Sequence, residues 1–334
     1  MTLQDKTVMV TGATGLLGAA TLRLLLRHGR MKLRAFARDR EKARMFADDA
    51  VRTIAGDITD RDAVVRAMAG CDVVIHSVMA VGGDDNRQVN VDGTRNVLEA
   101  AVEQGVDRLV HISSVAAYHP VSDGIVDEDH PQEPDGSGTS YHDTKLESEL
   151  MALACGRDEG VAVVVLQPVA VYGPRCYPWT IRVLDQVRDH AVLLIDEEGT
   201  SHNLVYVDDV ARAMVLAAGQ DGVAGECFIV SGREDVPSAD FYRAHERMLG
   251  TSCVALATGQ ELESLDGDLA ALARRKGLPG DRPAITAGFG SKVHYSGAKA
   301  SRLLGFEPAV DFASGMRRTE AWARESEWIR MTRP

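Results

Sequence analysis

Residues Lys6 to Thr11 form a short apolar, β-branched run, and Gly12-Ala13-Thr14-Gly15-Leu16-Leu17-Gly18 follows at once. Ala19 to His28 then carries leucines at helical spacing, with Gly29 as a stop. Strand, glycine turn and helix in this order constrain the chain more than any other feature. Gly12 permits a tight turn, Gly15 lets the backbone approach a pyrophosphate, and Gly18 lets the helix pack closely on the strand. The helix N-terminus then faces the phosphates. A chain that begins this way is expected to build a parallel α/β sheet and to bind a dinucleotide.

The segments that follow keep the alternation. Lys32 to Ala37, Val51 to Ala55, Asp72 to His76, Asp107 to Ile112 and Val161 to Leu166 read as strands separated by helical stretches, which predicts a doubly wound parallel sheet. The second strand ends in Arg38-Asp39-Arg40. There an arginine offers a fork to a ribose 2′-phosphate, whereas Asp39 would accept from a free 2′-hydroxyl. Arg38 favours NADP(H) over NAD(H). Asp57, after the third strand, can take the adenine amino group or cap the helix from Arg61 to Ala69. The fourth strand opens on Ser77-Val78-Met79-Ala80 and a flexible Gly82-Gly83 loop, and Asn86 to Gln104 reads as a long helix carrying Asn90. The fifth delivers Ser113-Ser114 to the sheet edge where ligands sit. Residues 119 to 140, rich in Pro, Gly, Asp and Ser, read as a loop forming a wall over the site.

Tyr141 and Lys145 are four residues apart behind Thr139-Ser140, an N-cap signal, so both side chains leave one helix face. A phenol near pKa 10 is a poor proton shuttle at neutral pH. A nearby ammonium would favour the phenolate and lower that value.

After Pro174 the pattern loosens. Trp179 to His190 reads as a helix, Leu204 to Val207 as a strand, Asp208 to Ala218 as a capped helix and Cys227 to Val230 as a strand. Residues 254 to 290 give no clear signal, and 298 to 306 and 311 to 328 read as closing helices. The expected division is a dinucleotide-binding domain of residues 1–175, with 201–230 returning to it. A smaller, mostly helical substrate-binding cap takes 176–200 and 231–334.

The net charge of −12 disfavours nucleic acid and anionic membrane surfaces as partners, and leaves a small molecule. Five scattered cysteines suggest neither a disulfide framework nor a zinc or other metal site, and they suit the cytoplasm. No signal peptide is evident, and no apolar run reaches the roughly 18 residues of a membrane span.

With these residues in order, the chain resembles an extended short-chain dehydrogenase/reductase of the NAD-dependent epimerase/dehydratase type along essentially its whole length. The matching stretches are TGATGLLG at 11–18, GDI at 56–58, DVVIH at 72–76, NVDGTRNVLEAA at 90–101, HISSVAAY at 111–118, YHDTK at 141–145, PVAVYGP at 168–174 and VYVDDVARA at 205–213. The resemblance implies a Ser-Tyr-Lys site. Counting back from Tyr118 selects Ser114 over Ser113 as the catalytic hydroxyl. Tyr141 is the acid in reduction and the base in oxidation, Lys145 holds the nicotinamide ribose, and Asn90 supports the proton relay. It further implies that Thr14, Leu16, Ile58, Val78, Pro168 and Val171 join the glycines in cradling the cofactor. Pairing of the helices 86–104 and 140–155 between two copies makes a homodimer the expected assembly.

The departures bear on the substrate. Sugar-nucleotide dehydratases of this family follow the catalytic hydroxyl with an acid pair where this chain has Val115 and Ala116. Many sugar-nucleotide epimerases have an asparagine where it has Ala170, and an arginine-aspartate pair where it has His202-Asn203. Gln167 replaces the usual arginine, and Thr144 the commoner serine. The resemblance is closest to the hydroxysteroid dehydrogenase, flavonol reductase and aldehyde reductase branch. A carbonyl/alcohol oxidoreductase with NADP(H) and a lipophilic substrate is therefore expected, with Met79, Val81, Ala170, Tyr177 and Trp179 as pocket walls. The alternatives are a nucleotide-sugar epimerase with tightly held NAD, and a non-catalytic NADP(H)-sensing regulator.

Overall fold

A computed structural model describes residues 2–46, 50–81, 86–118, 120–195, 200–287 and 291–326. The first half runs β1 (Thr7–Thr11), α1 (Leu16–His28), β2 (Lys32–Ala37), α2 (Arg40–Ala43), β3 (Val51–Ala55), α3 (Arg61–Met68), β4 (Val73–His76), α4 (Gly93–Glu103), β5 (Arg108–Ile112), β6 (Asp123–Val126), α5 (Tyr141–Glu159) and β7 (Ala162–Pro168). The second half runs β8 (Ala170–Tyr172), α6 (Arg182–Asp189), β9 (Ala191–Ile195), β10 (Ser201–Tyr206), α7 (Val207–Gly219), β11 (Cys227–Val230), β12 (Asp235–Pro237), α8 (Ser238–Leu249), β13 (Val254–Ala257), α9 (Gly259–Glu263), α10 (Leu269–Arg275), β14 (Ala284–Ala287), β15 (Lys292–Tyr295) and α11 (Phe312–Glu325).

A seven-stranded parallel sheet in the order β11-β7-β5-β4-β1-β2-β3 carries the fold. The strand order reverses at β1, so the C-terminal ends of β1 and β4 part at the crevice where such sheets bind ligands. Side-chain alternation along β1 divides the core. Val8 and Val10 pack with Leu22 and Leu25 of α1, and Met9 packs with Val64 of α3 and Val97 of α4. Both faces are covered, which is why these strands read as continuous apolar runs.

Several expectations change. The 119–140 segment is not loop throughout, because Asp123–Val126 forms β6 and pairs in parallel with β15, far away in sequence. Residues 201–206 do not enter the main sheet. They pair with β8 and β12 as a three-stranded sheet, while α7 and β11 return to the main body. The helix expected from Asp208 starts at Val207 and has no side-chain cap. The Asp209 carboxylate instead accepts from the amides of Ala309 and Val310 at 2.9 Å. Beside its helices the cap carries a parallel sheet, β13-β9-β14. The Gly82-Gly83 loop and the end of the closing helix at 327–328 lie outside the described residues. Among the described residues no helix is long and apolar enough to cross a membrane.

Candidate functional site

One cleft of about 960 Å³ runs from the glycine turn to the cap, at the large end of small-molecule sites. At its base Gly12 has φ 66°, and a Cβ there would lie 2.9 Å from the Ser77 carbonyl oxygen. Only glycine fits that backbone. Gly15 caps α1 without a side-chain hydrogen bond, so no cap side chain occupies the first-turn N–H groups. A Cβ on Gly18 would run into the Gly12 carbonyl. Gly18 therefore sits behind the turn and lets α1 close on it, while Gly12, Thr14, Gly15 and Leu16 line the cleft.

At one end lie Arg38, Asp39, Lys42, Asp57 and Ile58, and Val78 also lines the cleft. Asp39 is engaged as the α2 N-cap, its Oδ1 accepting from the Lys42 amide at 3.0 Å. Asp57 Oδ1 accepts from the Thr59 amide and hydroxyl at 2.9 Å. The cap of α3 is Asp60, which accepts from the Ala63 amide, so the helix-cap role open to Asp57 is overturned.

Toward the cap, β5 delivers Ser113 and Ser114, and the Ser140 side chain starts α5 by accepting from the Asp143 amide at 3.0 Å. Ser114, Tyr141 and Lys145 all line the cleft. Ser114 Oγ accepts from the Ala116 amide at 3.1 Å. Ser113 is buried with its hydroxyl unpartnered by protein. Lys145 is 2% exposed, and its ammonium donates to the Ile112 carbonyl at 2.7 Å. Burial lowers its pKa to about 8, against an upward pull from Glu149 one turn along the helix. The Tyr141 phenol does not show the lowering expected from a neighbouring ammonium. Burial pushes its pKa up, partly opposed by a hydrogen bond with Ser114. The physical reason is that the low-polarity cleft penalises the phenolate while the lysine proton is directed at a backbone carbonyl. The Tyr141 hydroxyl donates to the Met79 sulfur at 3.1 Å.

Asn90 is buried in a wide π-type turn, Gln88–Asp92, and is not in the cleft wall. Its Nδ2 donates to the Thr144 hydroxyl at 3.2 Å and to the Ala80 carbonyl at 3.0 Å. It thus ties the post-β4 loop to α5 from behind.

The walls include Met79, Val81, Pro168, Ala170, Val171, Tyr177 and Trp179. From the 119–140 segment Val121 reaches the cleft. That segment is anchored by His142, whose ring nitrogens meet the Ala116 and Glu133 carbonyls, and by Asp143, which accepts from the Asp135 and Gly138 amides. Sequence reading missed Arg175, which lines the cleft at φ 68° and donates to the Thr14 carbonyl at 3.3 Å. It also missed Ser201, Ser291 and Tyr295 in the wall. Arg175 follows Gly173-Pro174 directly, the one local signal of a turn there. Ser201, Ser291 and Tyr295 had none, since they are brought near by the pairing of β15 with β6 and by bonds from β10, all distant in sequence.

Residues 8–231 match the NAD dependent epimerase/dehydratase family, and the chain belongs to it. It is accordingly an NAD(P)-dependent enzyme of the extended short-chain dehydrogenase/reductase type. It is 29% identical to a 2-alkyl-3-oxoalkanoate reductase of Stenotrophomonas maltophilia over 330 residues, 94% of this chain and 98% of that protein. It is 34% identical to sterol demethylase protein B of Methylococcus capsulatus over 239 residues, 68% of this chain and 70% of that protein. The dTDP-glucose 4,6-dehydratase of Streptomyces venezuelae, solved with NAD, superposes with a TM-score of 0.75 at 25% identity, covering 98% of this chain and 100% of that one.

Proposed function

We propose that the protein is an NADP(H)-dependent oxidoreductase that interconverts a ketone or aldehyde with its alcohol on a lipophilic small molecule. The observation that carries this reading is that Ser114, Tyr141 and Lys145 share one cleft with the glycine turn. The cradle fits a dinucleotide: a turn that excludes side chains at Gly12 and Gly18 leads to a helix N-terminus free of a side-chain cap. When bound, the nicotinamide supplies or accepts the hydride.

The chain's own residues would do the rest. Ser114 and Tyr141 bind the reacting oxygen where negative charge develops, and Tyr141, held protonated at neutral pH by its burial, donates the proton in reduction. Lys145, whose ammonium is held by the Ile112 carbonyl, would hold the cofactor ribose. The Met79 sulfur, now the acceptor for the Tyr141 hydroxyl, gives way to the substrate oxygen. Arg38 and Lys42 would clasp a 2′-phosphate. Asp39, committed to capping α2, competes poorly for a ribose hydroxyl.

Val115 and Ala116 provide neither acid nor base for elimination, and Ala170, Met79 and Trp179 suit an apolar substrate. The relative named a 2-alkyl-3-oxoalkanoate reductase supports reduction of a carbonyl, and the sterol in the other relative's name supports a lipophilic substrate.

The test follows NADPH consumption with 3-oxoalkanoates and keto-steroids. Tyr141→Phe should lower kcat/KM on the order of 10³-fold with the NADPH Kd retained. Near-normal turnover in that variant would overturn the reading. Arg38→Ala should raise the Kd for NADPH about tenfold or more and leave that for NADH in place, and equal effects on both would sink the NADP(H) preference.

A further inference from the structure

His202, on β10, lines the cleft and is 3% exposed. Its Nδ1 lies 3.1 Å from the Ser238 hydroxyl, and its Nε2 has no protein partner. The ring lies 4.9 Å from Phe241 and 5.6 Å, edge-on, from Trp179, with Tyr242 at 6.3 Å. This aromatic box removes it from water, and burial, with His245 alongside, brings its pKa down to about 4. At neutral pH the imidazole is therefore uncharged. It offers a hydrogen bond but no counter-charge.

The other polar group of the pair is already spent. Asn203 donates to the Val293 carbonyl at 2.7 Å and accepts from the Tyr295 amide at 3.2 Å, which fixes β15 against β10. A buried polar atom without a partner costs about 1–3 kcal/mol, and a ligand that supplies the partner recovers it. Either tautomer can serve, because the Ser238 hydroxyl can donate to Nδ1 or accept from it.

We propose that His202 Nε2 anchors an uncharged oxygen function of the substrate, a hydroxyl or carbonyl other than the one that reacts. The inference rests on the reading that the cleft takes a lipophilic carbonyl compound, and it specifies that compound further. The substrate is bifunctional, with an apolar body between a reacting carbonyl and a second, neutral oxygen. A carboxylate or phosphate in that place would meet a neutral ring in an aromatic box.

The experiment titrates the NADPH-loaded full-length protein by calorimetry. The probes are a medium-chain alkan-2-one, the same ketone with a hydroxyl moved stepwise along the chain, and its ω-carboxylate. The hydroxyl should tighten binding up to about tenfold at one position, and the carboxylate should bind more weakly than the hydroxyl. In His202→Phe the ratio of hydroxyl to plain ketone should collapse toward one, and His202→Gln, which keeps a hydrogen-bonding side chain, should restore part of it. Thermal melts report whether each variant is folded. The inference is overturned by no gain at any position, by a gain that survives His202→Phe, by a tighter carboxylate, or by no binding of any ketone. If the pattern holds but no bound ketone consumes NADPH, the reductase reading fails and the His202 anchor stands.

Discussion

The Asn90 side chain pairs with both backbone polar groups of Ala80: its Oδ1 accepts from the Ala80 amide at 2.8 Å, and its Nδ2 donates to the Ala80 carbonyl at 3.0 Å. The pairing copies a backbone ladder and fixes the loop that carries Met79 into the cleft. Asn90→Asp turns the donor into a charged acceptor facing a carbonyl in a buried place. Urea unfolding should show a loss of about 1–3 kcal/mol, and KM should rise more than kcat falls. Unchanged stability would show that the clamp does not hold the loop.

The parts of the molecule readable in advance were those written locally. The turn from Gly12 to Gly18, the Ser140 cap and the strands of the main sheet each depend on neighbours in sequence, where periodicity and glycine placement act directly. Asp123–Val126 sits in a polar stretch and is a strand only because Lys292–Tyr295 lies beside it, which no local pattern encodes. The placement of Asn90 behind the wall depends on a wide turn at Gln88–Asp92, and nothing in its residue types announces a fifth residue in the turn. His202 was legible as a missing anchor. What surrounds it depends on Trp179 in one segment and on Ser238 and Phe241 of α8 in another.

Gln167, in place of the arginine usual in such chains, is completely buried between two polar groups. It accepts from the Tyr118 hydroxyl at 2.8 Å and donates to Glu149 Oε1 at 2.8 Å, the oxygen that Gln132 also reaches at 2.9 Å. Gln167→Leu matches its bulk but leaves a buried hydroxyl without its acceptor and a buried carboxylate short of a donor. Stability should fall by about 3 kcal/mol, read from the shift in denaturation midpoint at constant m-value. A loss under about 1 kcal/mol would show that water replaces the amide.

Four of the five histidines buried among the described residues should make the fold sensitive to mild acid. Burial brings His76 down to about 3, His202 and His245 to about 4, and His111 well below its ordinary value, with Lys145 adding to the lowering at His76 and His111. Their folded pKa values lie below the unfolded value near 6.5, so the unfolded state binds more protons between them. Stability is complete above about pH 6.5 and is lost as pH falls toward 4. Near pH 5 His76, His202 and His245 together predict a slope of about 4 kcal/mol per pH unit, and His111 adds to it in the same direction. Denaturation curves across pH 4.5–6.5 in small steps, about the window named, would measure it. A slope of about one proton would mean that the rings are hydrated.

Lys145 titrates in the opposite window. Its folded pKa, about 8, lies below the unfolded 10.5, so the buried ammonium destabilises the fold at neutral pH and the penalty is relieved as pH rises between those values. The shift corresponds to about 3 kcal/mol. Lys145→Met removes the titration. The stability of the variant relative to the native protein should therefore be greatest below pH 8 and decline by about 3 kcal/mol on going to pH 10.5. The lost bond to the Ile112 carbonyl shifts that difference by a constant and leaves its pH dependence intact. The same variant should lose the proposed carbonyl reduction, because the ammonium proposed to hold the nicotinamide ribose is gone. A difference curve flat with pH would show that the ammonium is solvated in the free enzyme, and activity retained in Lys145→Met would remove the lysine from the reaction.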